Sequence, residues 1–380
     1  MINLYGKLNL LNGLEIPKGP LTLTTNPNLP QAIAKEYGLI SDDGYIEGNY
    51  KAVFRKKGVK KSNRTEFLIP SELHHLTDGD IISIHSDSLF VRVLYRSESK
   101  QNSILLTERC NHYCLMCSQP PKDIDDTWIL NETKQLIKIL PKTLSEIGFT
   151  GGEPTLYGEE FIELMRLTKS YLPNTSIHIL TNGRAFKSID FTRKYAEIEH
   201  HDMMLGIPIY SDDPVRHDYV VQSSGAFSET IKGVLHLKSL GQKVEIRVVI
   251  HKQTIDRITE LCEFIARNLL FVDHVALMGL EMIGFTRANI DDLWIDPFYY
   301  KDKLSEAVLL LKNYGMNVSV YNHQRCLVND DVMFAYRKSI SDWKNEYAEE
   351  CANCKKLDEC GGFFSSGIKY KYSPSIKPFI

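Results

Sequence analysis

No apolar run in this 380-residue chain approaches the eighteen or so residues that a membrane-crossing helix needs. The first residues, MINLYGKLNLLNGLEIPKG, are too broken by polar residues and glycine to read as a secretory signal. The expectation is a cytoplasmic protein with no membrane partner and with reduced thiols. An excess of one charge is also missing. Lys and Arg number 45 against 48 Asp and Glu, a net −3 at pH 7, so no basic field draws the chain to nucleic acid. There is no P-loop, dinucleotide fingerprint or Ser-His-Asp order, and no internal repeat or low-complexity tract. With 43% hydrophobic and 24% charged residues, a disordered, collagen-like or coiled-coil chain is excluded. The eight cysteines are few but grouped: only Cys262 stands apart, on the apolar stripe of RITELCEFIARNLL, and reads as a buried structural residue. In a reducing compartment the seven grouped cysteines point to metal ligation rather than disulfides.

The length exceeds one hydrophobic core and predicts two or three domains. Residues 1–100 read as a β-rich accessory domain, with two short strands around a turn at His85 to Ser88 and one helical candidate, LPQAIAKEYG. Its basic run, Arg55 to Lys61, reads as a solvated loop or as a docking patch for an acidic leader peptide. Residues 101–296 alternate strand and helix. Strands are expected at Ser103–Thr107, Glu146–Thr150, Ser176–Thr181, Met203–Tyr210, Lys243–His251 and Val272–Leu280. Helices are expected at Asn131–Leu140, Glu159–Tyr171, Asp190–Ile198, Ser228–Gly241 and Ile255–Leu270. Six βα units make an α/β fold with a parallel sheet and are too few to close an eight-stranded barrel. A partial (β/α)6 barrel or an open sheet remains, with ligands at the carboxyl ends of its strands. Residues 297–380 form an extension: a helix Phe298–Tyr314 behind Pro297, a short strand Asn317–Tyr321, and a tail in which a metal would replace the core it cannot build.

Cys110, Cys114 and Cys117 follow the first expected strand with C-x3-C-x2-C spacing, in TERCNHYCLMCSQP. Three thiolates on one tight loop hold three corners of an iron–sulfur cube and leave one iron open to a ligand. The alternatives are a zinc site with His112 as fourth ligand, or three unrelated buried cysteines. One βα unit later comes Gly151-Gly152-Glu153-Pro154. The glycines allow a close backbone approach, Glu153 offers a carboxylate to an ammonium group, and Pro154 fixes the turn.

This loop and turn resemble those of the radical S-adenosylmethionine (SAM) enzymes, over roughly residues 103–285. The resemblance implies a partial (β/α)6 barrel and a 4Fe-4S cluster on Cys110, Cys114 and Cys117 whose open iron is chelated by SAM. It implies that Gly151 to Pro154 bind the methionine amino group and that Met116 packs near the adenine, where many members carry an aromatic residue. Thr181-Asn182-Gly183 resembles the family's TNG. Ser211, after the fourth strand, and Arg247, in the fifth, match positions that contact the SAM ribose and carboxylate in the peptide-modifying branch.

Cys326, Cys351, Cys354 and Cys360 form the second group, C…C-x2-C-x5-C. Four thiolates suit a structural zinc or a fully ligated cluster. Behind a radical SAM core they resemble the auxiliary-cluster extensions of the SPASM and twitch types, without the further C-x3-C of full SPASM, and imply one auxiliary 4Fe-4S cluster. The nearest resemblance is to the C-type radical SAM maturases of the His-Xaa-Ser system. It implies reductive cleavage of SAM to a 5′-deoxyadenosyl radical and modification of a precursor peptide with His-Xaa-Ser repeats. Implied partners are a flavodoxin-type reductant and a second radical SAM maturase. A radical SAM enzyme acting on a small molecule such as a nucleoside precursor, or a zinc-binding scaffold, are the alternatives.

Overall fold

A computed structural model describes residues 3–13, 15–42, 46, 48–58, 64–338 and 345–380. The chain divides into two compact units, Ile2–Ile104 with Trp128–Leu144, and Leu105–Thr127 with Ser145–Ile380.

The first unit is built on an eight-stranded sheet of β1 (Tyr5–Lys7), β2 (Asn9–Asn12), β3 (Leu21–Thr24), β4 (Tyr37–Ile40), β5 (Ala52–Arg55), β6 (Glu66–Leu68), β7 (Ile81–Ile84) and β8 (Phe90–Tyr95). Their order is β1-β8-β7-β3-β4-β5-β6-β2. The hairpin expected around residues 85–88 is β7–β8, closed by the His85 N–H on the Phe90 carbonyl at 2.8 Å. The helical candidate yields only Gln31–Ala34, because Tyr37–Ile40 is drawn into the sheet between β3 and β5. Arg55 is not part of a solvated patch. Its guanidinium is fully buried in a two-point pair with Glu66 on the adjacent strand, at 2.9 and 3.1 Å. The Lys56 and Lys57 amides bond Asp42, and residues 59–61 of the basic run lie outside the described residues. The helix Thr127–Ile139 groups with this unit after its first residue. Its Glu132 accepts from Arg92 and from the Ser83 hydroxyl, both at 2.5 Å.

The second unit contains the parallel sheet, except for the first two residues of its first strand. β9 (Ser103–Leu105), β10 (Glu146–Thr150), β11 (Ser176–Leu180), β12 (Met203–Pro208), β13 (Lys243–Ile250), β14 (His274–Gly279) and β15 (Val318–Tyr321) lie in chain order. Every neighbouring pair from β10 to β15 is parallel. The strand that sequence places in the extension thus adds a seventh member to the six expected. Ile177, Ile179, Leu205, Ile207, Val244, Ile246 and Val248 are almost fully buried, which explains the near-continuous apolar runs. The helix expected at 255–270 is two helices, Lys252–Ile255 and Ile258–Asn268; the side chain of His251 caps the first, and Arg257 at the break pairs with Asp212.

The sheet curls. The segment after β14 returns to the loop after β9: the Phe285 backbone amide donates to the Cys117 carbonyl at 2.8 Å, the Thr286 hydroxyl to that of Met116 at 3.2 Å, and the Asn289 side-chain amide to that of Leu115 at 2.9 Å. A flat sheet would hold these loops apart by the width of five strand spacings, roughly 24 Å. Their contact makes the unit a partial barrel with its loops gathered at the carboxyl ends of the strands.

Candidate functional site

The cysteine loop is stitched to the end of the next strand, β10, by backbone. The Leu106 amide donates to Thr150, Gly152 to Thr107 and Glu153 to Arg109, at 2.7–2.8 Å. A Cβ on Gly152 would sit 2.0 Å from the Arg109 carbonyl, and one on Gly151, at φ +153°, 2.5 Å from that of Thr107. The close approach these glycines permit is therefore, first of all, to the cysteine loop itself. Pro154 is buried and opens a short 3-10 turn.

Glu153 is buried and its carboxylate is already engaged. Oε1 accepts from the Thr155 amide and hydroxyl and from the Thr181 hydroxyl at 2.6–3.0 Å, and Oε2 from the Asn182 amide at 2.6 Å. Burial raises its pKa, against these bonds. It is a bracket between the β10 and β11 ends rather than a bare carboxylate facing a ligand. Asn182 continues the bracket to the cysteine loop, its side-chain amide donating to Asn111 at 2.6 Å. Met116 packs with Tyr210, Val220, Val221 and Leu293. Ser211 is buried and its hydroxyl accepts from the Asp213 amide at 3.1 Å. Arg247 is turned elsewhere: its guanidinium bonds Glu245 at 2.9 Å and Met278 Sδ at 3.1 Å. Cysteine loop, Gly151 to Pro154, and Asn182 thus form one bonded assembly. The hydrogen bonds of Ser211 and Arg247 lie outside it.

The three thiols are partly buried and close enough to sense one another electrostatically. Burial pushes Cys110 up to about 12, and raises Cys114 and Cys117 as well. As a donor set, three thiols on one loop with apolar Met116 and Leu115 beside them fit an iron–sulfur cluster with one iron left for an outside ligand. His112 is buried with both ring nitrogens unpartnered, and its pKa is lowered by burial to about 3.

The second cysteine group converges too. Cys326, Cys351, Cys354 and Cys360 line one cavity of about 340 Å³, in a segment held by short 3-10 turns and by an apolar cluster of Leu327, Ala348, Phe363 and Ile376. Among the described residues no three His, Cys, Asp or Glu side chains are arranged to hold a single metal ion. Four thiols around one space suit a structural zinc or a fully ligated cluster. A larger cavity, about 650 Å³, opens at the carboxyl ends of β14 and β15. It shares Gln324 and Phe363 with the thiol cavity, so the two have a common wall.

Residues 104–265 match the Radical SAM superfamily. The chain carries a radical SAM domain. Among curated proteins it resembles the GTP 3′,8-cyclase of Aquifex aeolicus, 26% identical over 182 residues, 45% of this chain and 55% of that protein. Among solved structures it resembles Streptococcus suis SuiB bound to S-adenosylmethionine (15% identity, TM-score 0.45, 60% of this chain and 51% of that one). It also resembles anSMEcpe with bound AdoMet and Cp18Cys peptide (17%, 0.44, 57% and 62%) and the Escherichia coli coproporphyrinogen III oxidase HemN (15%, 0.45, 57% and 54%). The matched part spans between half and two thirds of the length of each of these relatives. No helix among the described residues is long and apolar enough to cross a membrane.

Two groups of residues escape the sequence reading. Asp126 is fully buried and accepts from the Thr107 hydroxyl, the Glu108 amide, Arg109 and Tyr157 at 2.5–3.1 Å, which fixes the stem of the cysteine loop. Burial opposes its charge, but these bonds win and lower its pKa. The acidic run DIDD gives no hint of which carboxylate turns inward. Deeper in the sheet, Glu245 joins Arg247 to His274 at 2.7 Å, and His274 meets Ser319 at 3.0 Å. A period-2 reading of β13 finds these positions but not their partners, which lie on β14 and β15.

Proposed function

We propose that the chain is a radical SAM enzyme that modifies a ribosomally made precursor peptide. Cys110, Cys114 and Cys117 would hold a 4Fe-4S cluster, and the four cysteines of the second cavity an auxiliary one. When bound, the first cluster with SAM supplies a 5′-deoxyadenosyl radical able to take a hydrogen from an unactivated carbon. The protein's own part is positional. Asp126, Glu153 and Asn182 lock the cysteine loop to the ends of β10 and β11. Gly151 and Gly152 leave backbone, not side chains, at that border.

The observation that carries the peptide reading is the 650 Å³ cavity and its shared wall with the four thiols. Its lining is aromatic and amide-rich, with Trp294, Tyr300, Asn322 and Gln324 beside the Gly361-Gly362 backbone. Side-chain amides can pair with the N–H and C=O groups of a peptide backbone, and the aromatic rings can receive its side chains. A nucleoside triphosphate, the second reading that the cyclase resemblance suggests, calls for several cations. Lys371 is the one cation in this lining and stands over Trp294 at 4.3 Å. An oxidation begun in this cavity has the thiol site next to it to take an electron, which supports a redox role for the second cluster.

The test is anaerobic reconstitution, with iron, sulfide and zinc counted, followed by dithionite, SAM and candidate peptides encoded near the gene. About eight irons per chain, 5′-deoxyadenosine, and a peptide lighter by two hydrogens support the reading. A changed nucleotide and an unchanged peptide would favour the second reading. Cys354→Ala is expected to keep SAM cleavage and lose oxidised product. Full product from that variant would remove the redox role.

A further inference from the structure

The thiol cavity has a lid that the cysteine pattern does not announce. Ile376, Lys377, Pro378 and Phe379 line it together with the four cysteines. Ile376 is anchored in the apolar cluster with Leu327, Cys351 and Phe363. The Phe379 amide donates to Cys354 Sγ at 3.4 Å, and its carbonyl accepts from the Lys355 amide at 2.7 Å. The Arg325 guanidinium lies over the Phe379 ring at 5.4 Å, while the Arg325 and Gly362 amides both donate to Cys360 Sγ at 3.4 Å. Two of the four sulfurs therefore receive backbone N–H bonds, that of Cys354 from this one short segment.

We infer that Ile376–Phe379 is a strap that closes the second site, so that a cluster held there is bound by all four cysteines and has no iron open to substrate. This rests on the reading that these thiols hold an iron–sulfur cluster. The four thiols give up their protons on ligation. Backbone N–H groups aimed at the sulfurs stabilise the thiolates, and exclusion of water sets the electron affinity of what they bind. The second site would then exchange electrons across the Gln324 and Phe363 wall and would not coordinate substrate. The first site, with three cysteines, is open by construction.

The test uses the full-length chain carrying Cys110→Ala, Cys114→Ala and Cys117→Ala, reconstituted anaerobically so that only the second site is loaded. Four irons are expected, with an electron paramagnetic resonance spectrum of the reduced protein unmoved by potassium cyanide, a probe of open iron. Adding Phe379→Ala, which keeps the strap backbone, should speed iron transfer to the chelator ferrozine by about tenfold. Deletion of residues 376–380 should speed it further and make the spectrum cyanide-sensitive. If the triple variant does not fold, the wild-type protein saturated with SAM serves for the cyanide measurement, because SAM covers the open iron of the first cluster. A cyanide shift in the intact protein, or unchanged iron release without the strap, overturns the inference while the cluster reading stands. Zinc in place of iron overturns the cluster reading itself.

Discussion

The two cysteine groups are held by opposite means. Around the first, regular structure does the positioning: three strand ends, two glycines without room for a Cβ, and the carboxylates of Asp126 and Glu153, each accepting four or more hydrogen bonds. Around the second, regular structure is almost absent, and short 3-10 turns, an apolar cluster and backbone amides on sulfur take its place. The first site should keep its shape without metal. The second should depend on what it binds, because so little else orders it.

That contrast can be broken at its strongest point with Gly152→Ala. The added Cβ meets the Arg109 carbonyl at 2.0 Å, a clash that only movement of the cysteine loop relieves. Loss of the first cluster's iron and a drop in SAM cleavage of roughly a hundredfold or more are expected, with the second site's iron retained. Iron counting and 5′-deoxyadenosine assay check both halves. Equal loss at both sites would mean that they are not independently held.

Acid sharpens the comparison. His217 and His251 stand behind the ends of β12 and β13, and His323 follows β15. Burial lowers them to about 4, 3 and 4. In the unfolded chain they protonate near pH 6.5 and in the fold they do not. Stability is therefore complete above about pH 6.5 and falls as pH drops toward 4, by about 1.4 kcal/mol per pH unit for each histidine. Urea melts between pH 7 and 5 read the slope. His251→Gln should flatten it, and a slope unchanged in that variant would contradict the assignment.

The smallest effect is expected from Asp126→Asn. It keeps the shape but replaces charge-assisted acceptance with an amide that accepts at one atom, a loss of about 1.5–3 kcal/mol. Thermal melts of the apoprotein measure it. The second site's iron content should not change, which separates this variant from a general loss of fold.

The order and type of the barrel elements were legible because buried parallel strands are apolar throughout and their helices carry a 3.6-residue stripe; Glu146–Thr150 and Glu159–Tyr171 agree with the structure to the residue. The cysteine spacing and the Gly-Gly-Glu-Pro turn were legible because both are local. What escaped is what depends on distant partners. β15 takes its place from β14, Arg55 of an apparently solvated run is turned inward by Glu66, and Glu132 ties its helix to Arg92 and Ser83. Arg247 is claimed by Glu245, two residues away on its own strand, and by Met278 on the next. Nor does sequence reveal that Glu153 is spent on four donors, because a carboxylate written beside two glycines reads the same whether it faces a ligand or a neighbouring turn.

The return of Phe285, Thr286 and Asn289 to the cysteine loop also has a meaning in time. Those bonds join residues up to 174 positions apart, so a ribosome must add the last βα unit before the thiols it has already released gain their far wall. At about 5–20 residues per second that interval lasts roughly ten to thirty seconds. Throughout it a nascent chain offers three thiols in an unfinished pocket, open to oxidants and to stray metals, and delivery of iron and sulfide before the wall arrives would have to be undone or tolerated. The sequence separation of those contacts thus makes the far wall of the thiol pocket a late product of translation.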